Sequence, residues 1–183
     1  NWDRFQYPIM IQTAGFSEKS ISNSAKKEGI TMIIIAALDD RNGMMFNHRR
    51  QSQDKVLREK ILSLTAGKLL WMDHYSAKQF DGCTAPQLNI DDRFMWEAAP
   101  GEYCFVEDTS VAHFEKWAEQ IILFKWNRKY PGDFCFDIDV QNGMEIGHTE
   151  DFAGSSHEKL QWRYMTMRKL QKTLLPLLLA VLL

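Results

Sequence analysis

The sequence has little cysteine, and its spacing suits no covalent framework. Cys83, Cys104 and Cys135 are odd in number, widely separated and never in a C-x-x-C pair, which excludes a closed disulfide scaffold and a zinc ribbon. They read as buried thiols of a reducing cytosol, so a cytoplasmic location is expected. An excess of charge of one sign is also missing. The 22 Lys and Arg nearly balance the 24 Asp and Glu, so there is no strong nucleic-acid signal: contact with a phosphate backbone would need a local basic face, and Arg49-Arg50 is the one obvious cluster. A membrane-spanning run is absent too. The apolar stretch 174–183 has ten residues, whereas a bilayer takes about 20, so no membrane association is expected of the core.

What is present divides into three parts. Residues 1–31 mix apolar and polar side chains without sustained period and open on Asn1. The stretch "KKEGITM" contains Lys-Glu-Gly, which a purine-rich ribosome-binding sequence encodes when it is read in frame before a start codon. Met32 is therefore the expected biological start, with a genuine N-terminal extension as the alternative. Residues 168–183 join Arg168, Lys169 and Lys172 to the apolar stretch, in the manner of a signal-peptide n-region and h-region. A reading frame running into a following gene at Met165 or Met167 explains that tail, and a shortened tail anchor is the rival explanation. Residues 32–167 are the expected domain.

Within the domain, Met32–Leu38 is a short apolar run bounded by turn residues, which predicts a buried strand. Val56, Leu57, Ile61 and Leu64 recur on one face of a helix over 54–64, stopped by Gly67. "KLLWM" predicts a second strand and "HYSAKQF" a helix after it. Residues 82–89 predict a loop and 91–98 a helix. "EYCFVED" predicts a third strand, "SVAHFEKWAEQ" a helix, "IILFKWN" a fourth strand, and "FCFDIDV" an alternating, half-buried strand after the "YPGD" turn. Two more strands are expected around 144–148 and 159–166. Strands alternating with helices, then strands alone, predict an α/β fold with a mostly parallel central sheet, flanking helices and an antiparallel C-terminal edge.

The order of elements, with "IIIAALDDRNGM" and "EYCFVEDTSVAHFEKWAEQIILFKWNRKYPGDFCFDIDV", resembles dihydrofolate reductase in shortened form. The resemblance implies that Asp54 is the buried acid that hydrogen-bonds a pterin ring and assists its protonation, making it the candidate catalytic residue. It also marks where the sequence departs. That family cradles the NADPH pyrophosphate on a Gly-Gly pair, because only glycine lets backbone approach phosphate so closely; here Glu107, Asp108 and Thr109 stand there. "WMDHYS" replaces Met-Gly-Arg-x-Thr, so Asp73 and His74 stand where Gly and Arg stood and Ser76 is left as the phosphate contact. The NADPH site is thus read as degenerate and no cofactor is expected.

A second resemblance is carried by "GMMFNHRRQSQDKVLREKIL", "WMDHYSAKQF", "YCFVED", "KWNRKYPGDF" and "FAGSSHEK". These look like a group of small bacterial proteins commonly labelled ribonuclease Z. That enzyme's metals sit on an H-x-H-x-D-H motif, and His48, His74, His113, His148 and His157 are never two apart, so no metal ligands follow from the label.

The candidate ligand-binding residues are His48, Arg49, Arg50, His74, Ser76 and Thr109. His48, Arg49 and Arg50 fall at the carboxyl end of the first strand, where open α/β sheets bind ligands; they clamp an anion or form a solvated loop. Asp73 and His74 form an acid–base pair, a metal half-site or a helix cap. Ser155, Ser156 and His157 suggest a nucleophile or ordinary turn chemistry. Trp117, Phe124, Trp126, Tyr130 and Phe134 stack on RNA bases or belong to the core. Asp54, taken to lie at the mouth of a pocket rimmed by 39–45, is expected to have a raised pKa through burial. Three functions stay open: a ligand-binding domain for a nucleotide- or pterin-like small molecule, a divergent reductase, and a tRNA-processing endoribonuclease.

Overall fold

The computed structural model describes residues 31–141 and 143–167. The expectations about the N-terminal extension and the apolar tail concern segments that, Thr31 apart, lie outside the described residues.

The apolar run Met32–Leu38 forms β1, buried at six of seven positions. It pairs in parallel with β6 (Tyr103–Val106) on one side and β7 (Ala118–Lys125) on the other. A strand covered on both faces needs an unbroken apolar sequence, which is why β1 does not alternate. β4 (Leu70–Met72) and β5 (Leu88–Ile90) extend the parallel part, while β10 (Leu160–Met167) and β9 (Met144–Phe152) add an antiparallel edge, giving the order β5-β4-β6-β1-β7-β10-β9. The expected α/β class, parallel sheet and antiparallel edge are all present. A second sheet of three short strands joins β2 (Gly43–Phe46), β3 (Arg49–Arg50) and β8 (Phe134–Cys135).

Helix α1 (Lys55–Leu64) covers one face of the large sheet. Its Leu57 and Ile61 pack with Ile33, Ile35, Phe105 and Phe124. On the other face, Ile34, Ala36, Leu38 and Val106 meet Phe94 and Met95 of the short helix α3 (Phe94–Glu97), together with Val111 and Phe114. Alternate residues of β1 therefore feed two separate cores. Burial of such side chains is worth about 1.5–3 kcal/mol each.

Several expected elements differ in kind or extent. The helix predicted over "SVAHFEKWAEQ" is a 3-10 segment, Ala112–Trp117, and the chain is already a strand at Ala118. Ala, Glu and Gln are strong helix formers, but pairing of Ala118 with Met32 and Gln120 with Ile33 across a bulge takes them into the sheet. Tertiary hydrogen bonding outweighs local propensity there. "FCFDIDV" keeps only Phe134–Cys135 as strand. Beyond it, Asp137 accepts from Val111 N at 2.8 Å and Ala112 N at 2.9 Å, so it caps the 3-10 segment instead of continuing a ladder. Three short strands, β2, β3 and β5, were not expected; at two to four residues they carry too little periodicity to show. The cysteines also differ from expectation: all three are free, but only Cys104 is buried, whereas Cys83 and Cys135 are exposed. The aromatic series belongs to the two cores: Phe124 and Trp126 are buried on the α1 face with Tyr130 packed against that core, and Trp117 and Phe134 pack against the core on the other face. No helix among the described residues is long and apolar enough to cross a membrane.

Candidate functional site

The connection leaving β1 runs to α1 on one face of the sheet, and the connection leaving β6 runs to Phe114 on the other. Neighbouring strands whose connections diverge leave a crevice at their carboxyl ends, the usual ligand position in such sheets. In this protein, protein groups occupy it. Glu107, directly after β6, is 6% exposed, and Arg50 of β3 brings its Nε to 3.2 Å from Glu107 Oε1.

Arg50 is held from several directions. Its backbone N–H donates to Tyr75 Oη at 2.8 Å, its Nη2 donates to the Tyr75 carbonyl at 3.0 Å, and its guanidinium lies 4.6 Å from the centre of the Tyr75 ring. Tyr75 belongs to the short helix α2 (His74–Ala77). Burial pushes the Glu107 carboxyl above its usual range, while the Arg50 charge and the Gln79 and Ser76 side chains act in the opposite direction. Ser76 Oγ and Glu107 Oε2 are both buried and neither meets hydrogen-bond geometry.

Two further carboxylates line the rim. Asp73 caps α2 by accepting from Ser76 N–H at 2.6 Å. Asp108 is pushed up to about 7 by partial burial, then by the hydrogen bond and charge of Asp73. Thr109 Oγ1 donates to Asp108 Oδ1 at 3.3 Å. Three carboxylates and one guanidinium therefore surround the crevice. Among the described residues, no three His, Cys, Asp or Glu side chains gather so as to hold a metal ion.

The candidate residues separate accordingly. Arg50, Ser76 and Thr109 come together at the crevice. Arg49 pairs with Phe46 across a hairpin whose two loop residues, Asn47 and His48, have φ of 48° and 58°; that loop is a tight turn requiring left-handed backbone, and His48 is a turn residue. His74 is exposed and its Nδ1 lies 2.8 Å from Asp92 Oδ1, which raises its pKa through that hydrogen bond and charge. Asp73 is the cap foreseen as one of its alternatives.

Asp54 differs most from expectation. It caps α1, with Oδ1 accepting from Val56 N at 2.9 Å and Leu57 N at 3.2 Å. Its Oδ2 accepts from Ser156 N at 2.7 Å and Ser156 Oγ at 2.9 Å, with His157 Nδ1 at 3.4 Å. Burial raises its pKa, as anticipated, but the donors on Ser156, Ser155 and Leu57 outweigh burial and hold the carboxyl well below the usual range. The expected upward shift is thus reversed. His157 continues the network: its Nε2 lies 3.0 Å from Tyr130 Oη and 3.2 Å from Ser52 Oγ, and its ring stacks 4.9 Å from Trp126. Gly154 permits the approach, since a Cβ there would lie 2.6 Å from Asp54 Oδ2. "FAGSSHEK" is therefore a clasp between the β9–β10 connection and the start of α1. Sequence reasoning noticed both halves of this clasp but had no way to join residues 103 positions apart. It weighed Glu107 only as a repulsive charge and missed its pairing with Arg50.

No protein-family model matches the chain, and no curated protein sequence does. Among solved structures, the chain is similar to dihydrofolate reductase from Enterococcus faecalis complexed with NADP(H) and RAB-propyl. The TM-score is 0.58 at 8% identity, covering 76% of this chain and 97% of that one. A likeness at that identity shows a dihydrofolate reductase-like fold and leaves function to the site itself.

Proposed function

We propose that this domain is a small-molecule binding domain of dihydrofolate reductase-like fold. Its dinucleotide crevice is degenerate and favours a ligand rich in hydrogen-bond donors, such as a pterin-like heterocycle, over NADPH. The observation that carries the reading is the buried Glu107 paired with Arg50 at the carboxyl ends of β1 and β6. A carboxylate occupies the place where a bound pyrophosphate would bring its own negative charge, and the guanidinium best placed to attract phosphate is already engaged.

Magnitudes support the choice. Two like charges 4 Å apart repel by about 1 kcal/mol in bulk water and several-fold more near a protein interior. A pyrophosphate would face Glu107, Asp73 and Asp108 together. A heterocycle with an amino-amidine edge instead brings N–H donors to the same carboxylates, and Glu107 Oε2 meets no hydrogen-bond geometry from the protein. Asp54 enters this reading as a positioning residue, since all its oxygens already accept from protein donors and it has no proton to give.

Calorimetric titration of the full chain with a 2,4-diaminopteridine and with NADPH tests the proposal. The pteridine is expected to bind more tightly, and Glu107→Gln to weaken it by about 1.5–3 kcal/mol, the worth of a charge-assisted hydrogen bond. NADPH binding tighter than the pteridine would reject the reading.

A further inference from the structure

A separate cavity lies over the outer strands. Residues 136–141, which follow β8, and strands β7, β9 and β10 bound a cavity of about 880 Å³, within the usual range for small-molecule sites. Leu123, Met165, Met144 and Ile138 line it and are buried. At one end Lys125 and Arg163 enter from the same face of neighbouring strands, because Arg163 is in register with Leu123 and Lys125 is two residues further along.

The two cations are not equally engaged. Lys125 Nζ donates to the Asp39 carbonyl at 2.6 Å and to Asn42 Oδ1 at 3.0 Å. Burial first, and the Arg163 charge second, lower its pKa, with Asp39 and Asp40 opposing. Arg163 donates its Nε to Gln161 Oε1 at 2.7 Å, and its terminal nitrogens have no protein partner among the described residues. Among the described residues no acid forms an ion pair with that fork, although its charge, after Lys159 and Gln161, helps to lower the Asp151 carboxyl. Asp137 is used in capping the 3-10 segment and Asp139 Oδ1 accepts from Gln141 N–H, while Glu145 is exposed on the rim.

From this arrangement we infer that the cavity binds a small molecule carrying an oxyanion group on an apolar body, with the oxyanion on the Arg163 fork beside Lys125. A planar guanidinium with unused donors matches a carboxylate or similar oxyanion in two parallel bonds. The oxyanion also relieves repulsion between the two cations. The apolar walls formed by Leu123, Ile138, Met144 and Met165 receive the rest of the molecule.

The test is calorimetric titration of the full chain with 2-naphthoate and with uncharged 2-naphthylmethanol. The acid is expected to bind about tenfold or more tightly than the alcohol, the scale of a bidentate charged contact. Arg163→Met should remove that advantage and leave the alcohol unaffected, while Ile146→Trp, an exposed change on the rim, should weaken both by narrowing the entrance. Unchanged melting temperatures show that the variants fold. Absence of naphthoate binding, equal binding of acid and alcohol, or full binding by Arg163→Met would each overturn the inference.

Discussion

Asp54 and Glu107 are both buried carboxylates next to strand or helix ends, yet their surroundings drive them in opposite directions. Asp54 meets the start of α1 and the Ser156 loop, whose N–H and O–H donors converge on both of its oxygens. Glu107 meets one guanidinium and keeps an oxygen without a partner. Burial pushes both upward; at Asp54 the converging donors outweigh it, whereas at Glu107 the Arg50 charge and the Gln79 and Ser76 side chains do not. A satisfied buried charge locks structure, whereas a partly satisfied one is a place where a ligand can still add a bond.

The widest separation of the two regions should come from truncating each carboxylate. Asp54→Ala is expected to cost about 2.5–4 kcal/mol, combining a lost N-cap with stranded donors on Ser156 and His157. Denaturant unfolding measures it, and hydrogen exchange should show the loss concentrated at the start of α1 and at 152–157. A cost below about 1 kcal/mol would mean the clasp contributes little.

The Glu107 side should respond less and in a way that can be reversed. Glu107→Gln leaves Arg50 without its counter-charge but keeps a hydrogen-bonding oxygen, and should cost about 1–3 kcal/mol, the penalty of an imperfectly satisfied buried group; breaking one partner of a buried pair is worse than removing both. The double variant Arg50→Met, Glu107→Leu should recover most of that stability. If the double variant is as unstable as the single one, the ion pair stabilises the crevice directly.

The pH dependence separates the two regions again. Asp54 has a depressed pKa, so its stabilisation is complete above the unfolded-state value of about 4 and fades as pH falls below it. Asp108 is raised to about 7, so its contribution is present in acid and is lost as pH rises from about 4 through 7. Asp108→Asn should therefore gain stability relative to wild type at pH 8, gain less at pH 5, and show little difference below about pH 4, where the carboxyl is protonated in both states. The gain is expected to stay below about 1 kcal/mol because the group is solvent-exposed. Melting temperatures across that range would show a flatter profile for the variant.

The smallest effect is expected at the exposed His74–Asp92 contact. His74 should titrate above an ordinary histidine because Asp92 bonds and attracts its charged form, and Asp92→Asn should return it toward the usual value. Histidine ring resonances followed by NMR report this directly, with stability essentially unchanged.

Fold class was largely legible because it rests on local patterns. The unbroken apolar run of β1, the 3.6-residue spacing of Leu57 and Ile61 and the alternation of elements need no knowledge of neighbours. The legible part of the site was similarly local: Asp73 and Ser76 lie three residues apart, so a cap could be foreseen as one alternative. Short-range pattern could not assign residues whose fate depends on distant pairing. Ala118–Gln120 look helical by composition and become strand because β1 offers hydrogen-bond partners.

The sequence by itself therefore determined the α/β class, the central strand and the acidic pair Glu107–Asp108 that follows the third predicted strand, since each is a property of residues near one another in the chain. Only the tertiary structure decided the states of the charged side chains. Arg50 became the counter-ion of Glu107, and Asp54 became a locked cap, through partners 57 and 102 positions away. Burial alone would have raised both carboxylates; folding set which one received enough donors to be held below the ordinary range, and sequence spacing does not encode that number.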